Sequence, residues 1–150
     1  MQTAEDLIAA RNGKPRQSNL RRAVSAAYYA LFHCLARCCA DLLVGGAGAD
    51  RSKPAWKQVY RALDHGLAKN NCKNQETIKK FPKEIEDFAN MFVALQTKRH
   101  MADYDPDARF YKSEVRQDVA EAADVMDRFK DVPLKDRRAF AAYVLFKSRP

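Results

Sequence analysis

Residues 18–44 read SNLRRAVSAAYYALFHCLARCCADLLV, and this stretch decides the fold. Apolar side chains recur along it at spacings of three and four residues, at Val24, Tyr28, Leu31, Leu35, Cys38 and Leu42. That spacing puts them on one face of an α-helix. Four alanines on the same turns leave room for neighbouring helices to pack closely. The pattern therefore predicts a long helix from Ser18 to about Val44, which Gly45 and Gly46 then end.

Helical patterns also lie on both sides of this stretch. The predicted starts are Thr3 as a cap, Ser52, Pro82, Ser113 as a cap, and Leu134. The predicted stops lie near Gly13–Pro15, Gly66, Asp105–Pro106, Val132–Pro133 and Lys147. Residues 69–75 are polar and are interpreted as a loop that contains Cys72.

The fold class follows from these patterns. No window of adequate length shows the alternation of a strand, and no repeat is visible. The sequence therefore predicts an all-α protein, an antiparallel bundle of four main helices with short flanking helices. Residues 1–150 are predicted to form a single helical domain, in which 134–150 make a C-terminal helical extension.

The chain is basic, with a formal net charge of +8 that is spread unevenly. Residues 11–22 carry five arginines or lysines and no acid, whereas residues 84–127 carry eleven acids against five basic residues. Such an uneven distribution of charge suits the binding of a polyanion or of an acidic protein partner. A solvated basic surface explains the same charge equally well.

Other compositional signals predict a cytoplasmic protein without a membrane segment or cofactor. No apolar run approaches the ~18 residues that span a bilayer, and the N-terminus lacks the pattern of a secretory signal. Cys34 and Cys38 lie one helical turn apart, but no second pair at zinc-ligand spacing accompanies them. The cysteines are therefore interpreted as small buried thiols in a reducing compartment.

An arginine interrupts the apolar stripe of the predicted helix from Pro82. Ile85, Phe88, Phe92 and Leu95 occupy that stripe, and Arg99 follows at the next position, with Asp103 one turn later. A charged side chain on a buried face costs several kcal/mol unless it is paired or faces a wet cleft. The stripe therefore indicates a functional site at Arg99. A structural alternative is an intrahelical ion pair between Arg99 and Asp103.

Two segments together resemble motifs of the HEPN superfamily (higher eukaryotes and prokaryotes nucleotide-binding domain). The first is RAVSAAYYALFH at residues 22–33, and the second is RHMADY at residues 99–104. They resemble the first core helix and a later helix of the branch with a tyrosine pair and a terminal histidine. The resemblance covers about residues 3–130. It implies a HEPN-like helical domain that forms a homodimer, with the second motif in a cleft at the dimer interface.

The resemblance also implies a function. Many members are metal-independent ribonucleases of toxin–antitoxin and defence systems, and others are partnered with minimal nucleotidyltransferases. By this resemblance the chain binds RNA or nucleotide phosphates in a toxin–antitoxin or defence module, is a candidate metal-independent endoribonuclease, and has a nucleotidyltransferase-type antitoxin as partner. The ribonuclease members carry an arginine, then four to six intervening residues, then a histidine. In this chain Tyr104 lies there, and no histidine follows His100.

The expected site residues come from both motifs. Arg99 would stabilise phosphate, and Asp103, Tyr104 or His33 would assist with positioning or proton transfer. Arg21, Arg22 and Tyr29 would join Arg99 in binding nucleic acid. His33 has a structural alternative as a hydrogen-bonded histidine between helices, and Tyr28 is expected in the core.

Two other functions remain open at this point. One is a non-catalytic module that docks another protein through its helical surface. The other is a helical bundle that binds a small nucleotide. A protein partner with intact RNA would favour the first, and thermal stabilisation by a nucleotide but not by RNA would favour the second.

Overall fold

The computed structural model describes residues 1–9 and 16–150, and all regular structure in them is helical. The helices are α1 (Gln2–Ala9), α2 (Gln17–Val44), α3 (Lys53–Ala62), α4 (His65–Lys73), α5 (Gln75–Ile78), α6 (Lys83–Tyr104), α7 (Lys112–Lys130) and α8 (Leu134–Leu145). They pack against one another as a bundle, so the predicted all-α helical bundle is confirmed.

Helix α2 is the centre of the bundle and contacts α1, α3, α6, α7 and α8. Its buried side chains include Val24, Tyr28, Leu31 and Leu35, which are the apolar positions of the predicted stripe. By length and composition, α2 is also apolar enough to span a membrane, contrary to the expectation from sequence, and 44% of its most apolar window is buried in the bundle.

Helix boundaries agree with the sequence wherever a strong local signal is present. Ser52 caps α3 by accepting a hydrogen bond from the backbone N–H of Ala55. Gly45 ends α2 with a φ of 129°, in the region that favours glycine. Helix α6 ends at Tyr104, just before the Asp105–Pro106 break. The stop predicted at Gly13–Pro15 lies outside the described residues.

Four local predictions are wrong. The stop near Gly66 is one of them, since α3 ends at Ala62 and Gly66 lies in the first turn of α4. Residues 69–75 are not a loop, because α4 continues to Lys73 and α5 begins at Gln75. Asp64 caps α4 through the N–H of Leu67, and Cys72 is buried in the core rather than in a polar loop. Ser113 and Thr3 are not caps, since α7 begins at Lys112 and α1 at Gln2. Helix α4 was not predicted because most of its residues are polar and only a narrow face is apolar.

Two charged contacts fix α6, the helix that carries Arg99. At its C-terminal end, the guanidinium of Arg21 in α2 donates hydrogen bonds to the carbonyls of Ala102 at 2.9 Å and Asp105 at 2.8 Å, and to three others nearby. Further back, Nζ of Lys98 lies 2.7 Å from both carboxylate oxygens of the buried Asp118 in α7. Helix α6 is therefore held in position against both α2 and α7.

Candidate phosphate-binding site

Arg99 lies where α6 faces the tyrosine pair of α2. Its guanidinium carbon is 5.1 Å from the centre of the Tyr28 ring and 5.6 Å from that of Tyr29. Nη1 donates a hydrogen bond of 3.2 Å to the Tyr29 hydroxyl. Only 16% of the side chain is exposed. The two tyrosines thus hold the arginine by cation–π contacts at the edge of the core.

The pairing of Arg99 within the chain is incomplete. Nη1 lies 3.5 Å from a carboxylate oxygen of Asp103, whose other oxygen accepts a 2.8 Å hydrogen bond from Ser25. Nε is fully buried and has no hydrogen-bond partner among the described residues. Nη2 has none either, but it is not fully buried and therefore reaches solvent. The predicted ion pair is present, yet it leaves part of the guanidinium available to an anion.

His65, at the start of α4, also belongs to this cluster. Its ring stacks on Phe32 with 3.8 Å between centroids and an interplanar angle of 11°. Nδ1 shares a 2.5 Å hydrogen bond with the Tyr28 hydroxyl. Burial, and then the positive charge of Arg99, lower the pKa of His65. The imidazole is therefore neutral at pH 7.

The partner of His65 is a buried phenol. Tyr28 lies fully within the core, as the sequence predicts. Burial raises the pKa of Tyr28 well above its usual value, so the hydroxyl keeps its proton. The hydroxyl can either donate to Nδ1 of His65 or accept from it.

His33 lies beside the same tyrosine pair, one turn along α2 from Tyr29. Its ring is stacked 6.2 Å from Tyr29, and Nδ1 shares a 2.6 Å hydrogen bond with the hydroxyl of Tyr60 in α3. Tyr60 in turn stacks on Trp56 at 5.2 Å. His33 is thus both exposed and held in a defined orientation by α3.

The structure brings some of the predicted site residues together and separates others. Arg99, Asp103, Tyr29 and His33 form one cluster with His65. Tyr104 is 69% exposed and packs on His100, 4.9 Å away, on a different face of α6 from Arg99.

Arg22 of the first motif and its neighbour Arg21 have different positions. Arg22 is exposed on α2. Arg21, predicted to bind nucleic acid, directs its guanidinium at backbone carbonyls of the last turn of α6 and of the residues just after it. Those carbonyls lack helical partners, which gives Arg21 a structural role in the fold.

His65 was not predicted as a site residue, because the sequence patterns placed it at the C-terminal end of the third helix. One signal was available. Asp64 is a good N-cap, and Leu67, Ala68 and Cys72 follow at helical spacing. This would have predicted a helix that starts with His65. Its contact with Tyr28 depends on tertiary packing and has no local signal.

A groove of about 690 Å³ runs from His33 along α2 toward α7 and α8. Cys34 and Cys38 lie in its wall, and burial raises the pKa of both thiols, that of Cys38 to about 12. In residues 1–9 and 16–150 all four cysteines are unpaired by disulfides, and no three His, Cys, Asp or Glu side chains group as metal ligands. Because their pKa values are raised, the thiols of Cys34 and Cys38 are protonated at neutral pH.

Comparisons with known proteins identify no relative. Neither a family model, nor a curated protein, nor a solved structure matches this chain. The resemblance to HEPN motifs thus stays a prediction that depends on two segments of the sequence.

Proposed function

We propose that this chain is a HEPN-type protein that binds RNA or nucleotide phosphates at Arg99. The single observation that carries the proposal is the incomplete hydrogen bonding of the Arg99 guanidinium. It is anchored through Nη1 and by two tyrosine rings, while Nη2 reaches solvent without a partner in the described chain. A planar, pre-oriented guanidinium with available N–H groups suits a phosphate oxygen.

The surroundings of Arg99 also suit a nucleic acid. Tyr29 is 38% exposed, and its edge and hydroxyl border the site together with His33. Exposed aromatic side chains beside a cationic group are the usual features of single-strand binding, since every base offers a π-face. The net charge of +8 would attract a polyanion to the protein as a whole.

Mutation of Arg99 tests the proposal. We expect Arg99→Ala to weaken binding of a fluorescein-labelled single-stranded RNA 12-mer by at least about tenfold, because a charge-assisted hydrogen bond contributes roughly 1.5–3 kcal/mol. Arg99→Lys keeps the charge without the planar fork and should bind with intermediate affinity. Fluorescence anisotropy at low salt measures these affinities, and circular dichroism checks that each variant is folded.

Arg116→Ala provides the matched control for the Arg99 variants. Arg116 is an exposed arginine on α7 that borders α1, on another surface of the bundle. Its loss removes the same charge but should change RNA affinity by less than about twofold. Equal affinities of the wild type, the folded Arg99→Ala variant and the control would refute a phosphate site at Arg99, as would a wild-type protein that does not bind RNA.

The proposal includes a homodimer with Arg99 in a cleft between two copies, in a defence or toxin–antitoxin module with a nucleotidyltransferase-type partner. Its support is the resemblance of residues 22–33 and 99–104 to HEPN motifs. Sedimentation velocity at micromolar concentration should give about twice the chain mass of 17.1 kDa. A mass of one chain at every concentration would contradict the dimer and leave the Arg99 site to be tested by RNA binding alone.

A further inference from the structure

The two histidines of the cluster are held in the same way. Nδ1 of His65 is bonded to the Tyr28 hydroxyl, and Nδ1 of His33 is bonded to the Tyr60 hydroxyl. Nε2 of each ring has no hydrogen-bond partner among the described residues. His33 is exposed, and Nε2 of His65 is not fully buried. Each imidazole therefore has one nitrogen fixed by a phenol and the other open to a ligand.

Both rings border the same side chains beside Arg99. Their centroids each lie 6.2 Å from that of Tyr29, whose hydroxyl accepts the hydrogen bond from Arg99. Phe32 contacts both rings as well, at 5.7 Å from His33 and 3.8 Å from His65. Two imidazoles and one guanidinium thus surround Tyr29, although they come from α2, α4 and α6.

We propose that His65 and His33 are a general base and a general acid that, with Arg99, cleave single-stranded RNA by transfer of the phosphodiester to its own 2′-oxygen. This inference rests on the proposed function, since the phosphate must first bind at Arg99. In this proposal, His33 on α2 and His65 on α4 take the place of the histidine that the second motif, on α6, lacks. The nucleophile belongs to the substrate, which must therefore be RNA rather than DNA.

The chemistry balances without a further reactant. Nε2 of His65 takes the proton of the 2′-hydroxyl while O2′ forms a bond to phosphorus. The bond from phosphorus to O5′ breaks, and His33 gives the proton on Nε2 to O5′. The products are a 2′,3′-cyclic phosphate and a 5′-hydroxyl, and proton exchange with solvent restores both histidines. Arg99 offers Nη2 to the phosphate oxygens, where negative charge increases.

The electrostatics favour His65 as the base. Burial and then the charge of Arg99 lower its pKa, Asp64 opposes them with a smaller effect, and His33 adds a still smaller lowering. Its ring is therefore neutral at pH 7 and can accept a proton when Nδ1–H donates to the Tyr28 hydroxyl. In this tautomer Nε2 carries the lone pair. The rate should fall in acid, as His65 becomes protonated at a pH below the ordinary histidine value.

Paired measurements of binding and cleavage test this assignment. We expect His65→Gln and His33→Gln each to slow cleavage of the RNA 12-mer by about 10²–10⁴-fold, the usual contribution of general acid–base catalysis. Both should bind the uncleavable 2′-O-methyl 12-mer within about threefold of wild type. Mass spectrometry should detect the 2′,3′-cyclic phosphate, and the acid limb of the pH–rate profile should disappear in His65→Gln.

His100→Gln is the matched control, since His100 is an exposed histidine on α6 that packs on Tyr104. It should cleave at the wild-type rate. If the wild type binds the 2′-O-methyl RNA but leaves the 12-mer intact, or if His65→Gln cleaves as fast as wild type, the acid–base pair is refuted while the Arg99 site stands. If the wild type binds neither RNA, the proposed function fails, and this inference fails with it.

Discussion

Replacing Phe88 by alanine is expected to lower the free energy of unfolding by about 3–5 kcal/mol. Phe88 is fully buried on α6, 4.7 Å from Phe129 of α7 and 6.3 Å from Phe140 of α8. The truncation removes aromatic contacts with two helices and leaves a cavity that the packed bundle cannot fill. For a chain of this size the melting temperature should fall by roughly 10 °C, as measured by circular dichroism.

Phe146→Ala removes the same atoms from a side chain that is 58% exposed near the C-terminus. It should change the stability by less than about 0.5 kcal/mol. A similar loss in the two variants would mean that the junction of α6, α7 and α8 is not part of the stable core.

The second large effect is expected for Arg21→Met, which we expect to lower the stability by about 2–3 kcal/mol. Methionine keeps much of the apolar stem but removes the donors that satisfy the carbonyls of Ala102, Asp105 and Ala108. Hydrogen bonds from a charged donor contribute roughly 1.5–3 kcal/mol, and partial exposure of these carbonyls limits the sum. Chemical denaturation measures the change.

The neighbouring Arg22→Met variant is the control, because Arg22 is exposed. It should be nearly as stable as wild type. Hydrogen exchange adds a local measurement: amides of residues 102–108 should exchange faster in Arg21→Met than in Arg22→Met. Equal stability and equal exchange in these two variants would show that Arg21 does not fix the end of α6.

The bundle was predictable because its longest helices carry strong apolar periodicity and clear boundaries. Helix α2 follows its predicted stripe, and α6 ends at the Asp105–Pro106 break. Helix α4 was missed because it has only nine residues and buries only Ala68 and Cys72. With so few apolar positions among lysines and asparagines, α4 shows little of the apolar periodicity that predicts a helix.

The candidate site was only partly predictable. Arg99 was predicted as a site residue because a charge interrupts an apolar stripe, and Tyr29 and His33 were named with the first motif. The role of Arg21 escaped prediction, since its carbonyl partners lie about eighty residues away along the chain. His65 was missed for the same reason, because its partner Tyr28 belongs to another helix. A contact between segments that are far apart along the chain produces no periodic pattern in a single sequence.

The most direct test of the central claim, a phosphate site at Arg99, is a ¹H–¹⁵N NMR titration with a 2′-O-methyl RNA tetranucleotide. We predict that the Nε–H signal of Arg99 and the backbone amide signals of Tyr29, His33 and His65 shift together, with one dissociation constant. Shifts confined to the groove beside Cys38, or no shift at millimolar ligand, would contradict the account.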